Sequence, residues 1–166
     1  MQAFGRLART DVSVYLTGGS TAVIEGWRET TLDIDIKFMP ESDEMFRGIP
    51  TIKESLHLNI ELAAPSDFIP EVPGWRDRSS YIDKIGKTTF YHYDPYSQAL
   101  SKLERSHEKD LLDVEAMYKR GMINVQRLNT LFDEIVPHLY RYPALAPDQF
   151  AASVNSWCIA HLESDG

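Results

Sequence analysis

The fold is decided by the stretch Val12-Ser-Val-Tyr-Leu-Thr-Gly-Gly-Ser20 and by Asp33-Ile-Asp-Ile-Lys-Phe38, which follows it after twelve residues. Apolar and polar residues alternate in both stretches, and this alternation predicts two β-strands, over 12–17 and 32–38. Side chains two positions apart on a strand leave the same face. The carboxylates of Asp33 and Asp35 are therefore expected on one face of a sheet, with apolar side chains on the other.

The turn between these strands has the residues of a strand-to-helix connection. Gly18 and Gly19 interrupt the first strand, and Ser20 is a typical N-cap for a helix over Thr21–Trp27. Two glycines allow the backbone to approach a ligand closely, and a following helix N-terminus presents free N–H groups to a phosphate. Strand-Gly-Gly-helix turns are common, so this feature alone predicts little.

The rest of the chain completes an α+β pattern in which strands come first and helices follow. Its predicted elements are a helix over Ser42–Glu54, a strand over Leu56–Leu62, a loop over Pro65–Gly74, a hairpin of Ser79–Ile85 with Thr88–Tyr93, and helices at about 95–105, 107–120, 124–136 and 147–162. We expect one domain over 1–166. Residues 10–93 would form a mixed β-sheet with flanking helices, and 94–163 a C-terminal helical region packed on that sheet.

Composition limits the class of protein. The 166 residues are 43% hydrophobic and 25% charged, with one cysteine, which excludes an internal disulfide and a four-cysteine zinc site. A formal net charge of −8 disfavours non-specific binding to DNA, which needs a basic surface. The apolar runs are shorter than the roughly 20 residues of a membrane span. We therefore predict a cytoplasmic protein with no membrane partner.

Carboxylates carry the strongest chemical signal. Asp33 and Asp35 would repel each other on one strand face unless a cation lies between them, and Mg²⁺ prefers such oxygen ligands. Glu61 lies on the polar side of another alternating strand, beside Asn59, and can complete a three-carboxylate site if the two strands are neighbours. The competing interpretation is an ordinary solvated strand face for all three acids.

These residues lead to a resemblance. Leu16-Thr-Gly-Gly-Ser-Thr-Ala22, the twelve-residue spacing and Asp33-Ile-Asp-Ile36 together resemble the signature of the DNA polymerase β-type nucleotidyltransferase superfamily. Arg28-Glu-Thr-Thr-Leu-Asp-Ile-Asp35 looks like its AbiEii-type toxin branch and uncharacterised bacterial relatives of that branch. The later stretch Lys102-Leu-Glu-Arg105, with Lys109-Asp-Leu-Leu-Asp113, resembles the helical lysine and Lys-Asp-x-x-Asp motifs of the same branch.

The resemblance implies roles for individual residues. Gly18, Gly19 and Ser20 would hold the nucleotide's phosphates, while Asp33 and Asp35 would bind the metal ions. Glu61 would be the third acid, where superfamily members usually carry an aspartate. Lys102 and Lys109 would face the triphosphate. Asp110 and Asp113 would orient these basic groups or support the helix, and Arg28 and Arg105 would be supporting residues. Lys102 and Lys109 share one face only if a single helix runs through both.

The expected function is Mg²⁺-dependent (or Mn²⁺-dependent) transfer of a nucleotide from an NTP to a hydroxyl group. The toxin branch implies tRNA or a protein side chain as the acceptor, and an antitoxin as a partner protein. The alternative is a catalytically weak or inactive nucleotide-binding regulatory module of a toxin–antitoxin-like complex, which the glutamate at position 61 favours. A structural protein without a nucleotide site is a third hypothesis, which treats the motifs as coincidence.

Overall fold

In the computed structural model, which describes residues 1–27 and 33–163, the chain forms a five-stranded mixed sheet and a set of helices. Its residues separate into two units. We call Met1–Ala64 with Ser79–Tyr93 the sheet unit, and Pro65–Arg78 with Asp94–Gly166 the helical unit. The α+β class expected from the sequence is confirmed.

The sheet has the strand order β3-β2-β1-β5-β4. Its strands are β1 (Val12–Thr17), β2 (Asp33–Met39), β3 (Asn59–Leu62), β4 (Ser80–Ile85) and β5 (Thr88–His92). Strand β1 pairs antiparallel with β2 and parallel with β5, β2 pairs parallel with β3, and β4 and β5 form the predicted hairpin. The sheet is therefore mixed, as predicted, with β3 and β4 at its edges.

One face of the sheet is covered by helices of the same unit. Helices α1 (Gln2–Gly5) and α3 (Asp43–Leu56) pack on it through side chains that complete the core. That core consists of Phe4, Met45, Ile49 and Ile52 from the helices and Val12, Val14, Leu16, Ile36, Phe38, Ile60 and Phe90 from the strands. Because alternate side chains leave opposite faces, this burial directs Asp33, Asp35 and Glu61 to the other face.

Two boundaries in the sheet unit differ from the sequence prediction. The strand predicted over Leu56–Leu62 is reduced to the four residues of β3, because α3 continues through Pro50 to Leu56 and ends at His57 in the left-handed conformation (φ 52°). Met45, Ile49 and Ile52 form a stripe that packs on the sheet. The free energy gained by burying it exceeds the cost of the backbone hydrogen bond lost at Pro50. The helix after β1 is α2 (Gly19–Ile24), and its N-cap is Gly18 rather than Ser20.

The helical unit contains the four long helices that the sequence predicts, each within two residues of its expected ends. They are α5 (Pro95–Arg105), α6 (Glu108–Lys119), α7 (Val125–Ile135) and α8 (Pro147–Leu162). The predicted loop over 65–74 contains a short 3₁₀ helix, Pro65–Asp67, and is followed by the single-turn helix α4 (Trp75–Arg78). A second 3₁₀ helix, Val136–Arg141, extends α7. None of these three short elements has a sequence pattern long enough to predict.

Asp94 anchors the start of the helical unit's longest continuous segment. Its side chain is fully buried and accepts hydrogen bonds from the backbone N–H groups of Tyr96 and Ser97, which caps α5. It also accepts two hydrogen bonds from the guanidinium of Arg78, at 2.9 and 2.7 Å, and one from the Ser97 hydroxyl. One carboxylate thus joins α4 to α5 and completes the cap.

We expect Asp94→Ala to lower the free energy of unfolding by about 3–5 kcal/mol, because it leaves the Arg78 charge without its buried partner. Ser42→Ala is the matched control, since Ser42 caps α3 through one hydrogen bond to Met45 N and has no charged partner. Its loss should be about 1 kcal/mol. Urea unfolding followed by circular dichroism measures both, and equal losses would contradict the role of the ion pair.

Candidate functional site

Strand pairing brings the three predicted acids to one region of the sheet. Asp35 on β2 pairs with Thr17 on one side and with Glu61 on the other, and Asp33 pairs with Asn59. Paired residues on neighbouring strands project from the same face. The condition set for Glu61, that its strand neighbours the strand of Asp33, is therefore met, and Glu61 lies directly across from Asp35.

Asn59 holds two of these carboxylates with a neutral amide. Its Nδ2 donates to Oδ1 of Asp33 and to Oε1 of Glu61, each at 3.0 Å. An amide nitrogen has two hydrogens, so one group can serve both acids. The sequence placed Asn59 beside Glu61 but gave it no role, because only the register shows that it faces Asp33.

Gly18 allows the turn to approach Asp35. A Cβ atom at position 18 would lie 2.8 Å from Oδ2 of Asp35, closer than such contacts occur. The backbone there has φ 63° and ψ −134°, which residues with a side chain rarely adopt. The first glycine of the motif is thus needed both for its conformation and for the space that the carboxylate occupies.

The hydroxyl groups that follow Gly18 and Gly19 are directed inward. Ser20 Oγ donates to the carbonyl of Thr17 at 2.8 Å, and Thr21 Oγ1 donates to the carbonyl of Leu16 at 3.1 Å. Both side chains are buried. These bonds fix α2 to the end of β1, so in this conformation the Ser20 hydroxyl serves the turn. Because α2 has only six residues, its dipole contributes less to the site than the carboxylates do.

His92 lies behind this turn, on β5. Its Nδ1 is 3.4 Å from Oγ1 of Thr21, and its Nε2 is 2.9 Å from Oε1 of Glu25, the residue that follows α2. Burial lowers the pKa of His92, and the nearby Glu25 carboxylate opposes that effect. The imidazole therefore connects both ends of α2 to the sheet.

The donor set suits a hard cation, but three protein ligands are not assembled. Within residues 1–27 and 33–163, no group of three or more His, Cys, Asp or Glu side chains is arranged to hold a metal ion. Mg²⁺ does not require three, because it commonly takes one or two carboxylates and completes its shell with water and substrate phosphate. Asp33 and Asp35 fit that requirement, although Asn59 holds one oxygen of Asp33 as well as one oxygen of Glu61.

The late basic motif forms an ion network in the helical unit. Lys102 Nζ lies 2.8 Å from Oδ2 of Asp113 and 3.8 Å from Oδ1 of Asp110, which also accepts from Arg105 at 2.6 Å. Lys102 and both aspartates are buried. The two acids thus contact Lys102 and Arg105, and Lys102 has both of them within 4 Å.

The basic stripe that one continuous helix would have produced is not formed. Lys102 lies on α5, which ends at Arg105 because Ser106 adopts the left-handed conformation (φ 56°), and Lys109 lies exposed on α6. The two lysines therefore belong to different helices. The last predicted site residue, Arg28, falls within residues 28–32, outside the described part of the chain.

A mixed sheet with a Gly-Gly-Ser turn and two strand carboxylates beside it defines a nucleotidyltransferase-like fold. A family model described as "Nucleotidyltransferase of unknown function (DUF6036)" matches residues 5–150, and the chain belongs to this nucleotidyltransferase family. Comparisons with curated proteins and with solved structures gave no significant match. None of the helices within residues 1–27 and 33–163 combines the length and apolar character that crossing a membrane requires.

We expect Gly18→Ala to destabilise the protein more than Gly121→Ala does. Both glycines have positive φ, 63° and 71°, but a Cβ at position 121 meets no atom within 4 Å, whereas at position 18 it meets the Asp35 carboxylate. Positive φ alone costs about 1–2 kcal/mol, so the excess loss at Gly18 reports the close approach together with the unfavourable ψ of −134°. Urea unfolding of the two variants compares them, and equal losses would contradict the contact.

The lowered pKa of His92 predicts a stability loss in acid. Because the unfolded histidine binds a proton more readily, stability attributable to this residue is present above its usual pKa of about 6.5 and declines as pH falls through the folded value. His92→Gln should therefore flatten the fall in unfolding free energy between about pH 8 and pH 5. The exposed His138→Gln variant should keep the wild-type slope, and an unchanged slope in His92→Gln would contradict the prediction.

Proposed function

We propose that this protein transfers a nucleotide from an NTP to a hydroxyl acceptor in a Mg²⁺-dependent reaction, in which Mn²⁺ can replace Mg²⁺. One observation carries the proposal. The side chains of Asp33 and Asp35 project from one face of β2. Asp35 lies against Gly18 in the Gly-Gly-Ser turn, and Glu61 pairs with Asp35 from the neighbouring strand β3. Membership of a nucleotidyltransferase family supports the reaction class.

In the proposed transfer reaction, each residue of the candidate site has a role. The acceptor oxygen attacks the α-phosphorus of the NTP, a new P–O bond forms, and the bond to the β-phosphate breaks to release pyrophosphate. Asp33 and Asp35 would hold a divalent cation, which would supply positive charge to neutralise the phosphates. Glu61, or a neighbouring aspartate, receives the proton that the acceptor hydroxyl loses. The backbone of Gly18 and Gly19 leaves room for the phosphates beside Asp35.

The acceptor and the partners follow from the resemblance to the AbiEii-type branch. That resemblance suggests tRNA or a protein side chain as the acceptor, an antitoxin as the partner, and a cytoplasmic location. It also suggests that Lys102 and Lys109 face the triphosphate. The exposure of Lys109 agrees with such a contact, whereas Lys102 would have to share its ammonium between phosphate and Asp113.

A second candidate is a nucleotide-binding regulatory module with little or no turnover. The arrangement around Asn59 favours it, because the amide already satisfies one oxygen of Asp33 and one of Glu61. An amide that occupies one oxygen of each acid competes with a metal ion for Asp33 as well as for Glu61. Binding of Mg²⁺ and ATP without any transfer is the outcome this candidate predicts.

The test is transfer of labelled NTP in the presence of Mg²⁺, with candidate acceptors supplied as bulk tRNA and as protein. Asp33→Asn combined with Asp35→Asn preserves side-chain volume and should reduce the rate by at least about 100-fold, since it removes the cation site. Glu41→Gln removes an exposed carboxylate in the turn after β2 and should leave the rate unchanged.

Three outcomes separate the candidates. Transfer that depends on the two aspartates supports the enzyme. Calorimetric binding of Mg²⁺-ATP without transfer supports the regulatory module. Transfer at the wild-type rate by the double variant contradicts the metal role of Asp33 and Asp35.

A further inference from the structure

The contacts of His92 in the sheet unit require more hydrogens than a neutral imidazole supplies. The ring is buried, with Nε2 2.9 Å from Oε1 of Glu25 and Nδ1 3.4 Å from Oγ1 of Thr21. Because an ionised carboxylate only accepts hydrogen bonds, Nε2 must carry a hydrogen to bond Glu25. A neutral imidazole has a single N–H, so its Nδ1 is then left with a lone pair that can only accept.

The Thr21 hydroxyl consequently has two acceptors for its one hydrogen. Its Oγ1 lies 3.1 Å from the carbonyl oxygen of Leu16 and 3.4 Å from Nδ1 of His92. The Leu16 carbonyl also accepts the backbone N–H of Tyr93 at 2.8 Å, so it keeps a partner when the hydroxyl turns to the ring. A second proton on His92 makes Nδ1 a donor and leaves the hydroxyl only the carbonyl. The protonation state of His92 therefore decides the direction of a hydrogen bond inside the fold.

The two side chains that contact His92 belong to the segment that carries the Gly-Gly-Ser turn. Thr21 lies in the first turn of α2, three residues after Gly18, and Glu25 directly follows the helix. At the start of this segment, the Gly18 backbone lies against the Asp35 carboxylate. A six-residue helix has few contacts of its own to fix its position, so the ring on β5 contributes to the position of the turn.

A charge on His92 opposes this packing. Burial lowers the pKa of the imidazole, and the Glu25 carboxylate raises it by a smaller amount. Glu25 is the charged group that faces the ring from α2, and the residues paired with His92 on the flanking strands, Leu16 of β1 and Ser80 of β4, do not titrate. Because the packed arrangement favours the neutral ring, protonation favours conformations in which α2 lies farther from β5.

We infer that His92 is a positioning residue of the transfer reaction. Its neutral ring holds α2 where the backbone of Gly18 and Gly19 can receive the NTP phosphates beside Asp35. The inference rests on the proposed function for its catalytic meaning, whereas the coupling between His92 and the turn does not require that function. Protonation of His92 should raise KM for the NTP and leave kcat at saturating NTP unchanged, because His92 acts through α2 rather than by contact with the substrate.

The first test is calorimetric titration of the full chain with Mg²⁺ and an ATP analogue whose α,β-methylene group prevents transfer. ATP binds protons itself, so the quantity compared is the ratio of the dissociation constants of His92→Gln and the wild type at the same pH. Glutamine keeps a donor and an acceptor in place of the two ring nitrogens but cannot become charged. We expect equal affinities at about pH 8, and about fivefold weaker binding by the wild type than by His92→Gln at about pH 5.

The second test follows backbone amide shifts of the ¹⁵N-labelled chain in EDTA without nucleotide. The amides of Gly18 and Gly19 should shift with pH together with the imidazole of His92, and this component should be absent in His92→Gln. Thr21→Val keeps the side-chain shape but removes the hydroxyl, so it should reduce the same component. The exposed His138→Gln variant is the matched control and should reproduce the wild-type titration.

Two results would overturn the inference. One is that the amides of Gly18 and Gly19 do not follow the titration of His92. The other is a ratio of affinities that is the same at both pH values, which would leave the proposed function intact and remove His92 from it. A failure of the proposed function would look different, because the chain would bind no nucleotide at either pH while the two amides still followed the ring.

Discussion

Repulsion between like charges on one face of the sheet is the constraint on which the candidate site depends. Asp33, Asp35 and Glu61 come together because hydrogen bonding fixes the register of β2 and β3, and like charges opposite each other destabilise a sheet. The opposite face compensates through the buried core that includes Val14, Ile36 and Phe90. The geometry of the acids is therefore imposed by packing behind them, and Asn59 partly relieves its cost with two hydrogen bonds.

The residues of the Gly-Gly-Ser turn also have separate structural roles. Gly18 admits the Asp35 carboxylate, while the hydroxyls of Ser20 and Thr21 satisfy the last carbonyls of β1 and tie α2 to the strand. Residues that looked like phosphate ligands in the sequence are also the ones that build the turn. A serine in a Gly-Gly-Ser motif can thus be required for structure whether or not it contacts substrate.

Local patterns predicted most of the fold and part of the site. Alternation located β1, β2 and the hairpin, and Asp94-Pro95 marked the start of α5, because these signals depend on neighbouring residues. The end of α3 was not predicted, because Leu56 and Leu58 also fit an alternating strand. A histidine such as His57 gives no sequence signal for the left-handed conformation that ends the helix. The break at Ser106 agrees with the helices predicted at about 95–105 and 107–120, although a glycine usually marks such an end.

Contacts between distant residues lay beyond these patterns. Lys102 meets Asp113 only because the chain turns between α5 and α6, and the role of Asn59 emerges only from the register of β3 against β2. Family membership was predictable to the level of a nucleotidyltransferase, because the motif spacing is long and specific. The spacing of the motifs does not distinguish the AbiEii-type branch from other nucleotidyltransferases.

The chain enters the helical unit twice, first as Pro65–Arg78 and again from Asp94 onward. The early segment finishes synthesis some sixteen residues before Asp94, whose carboxylate Arg78 requires, and Tyr142 later donates its hydroxyl to the carbonyl of Ser66. During synthesis on the ribosome, residues 65–78 therefore form these contacts only after Asp94 and Tyr142 have emerged. A truncation after β5 would leave residues 65–78 without these partners. Expression of the sheet unit by itself would therefore require a linker in place of residues 65–78.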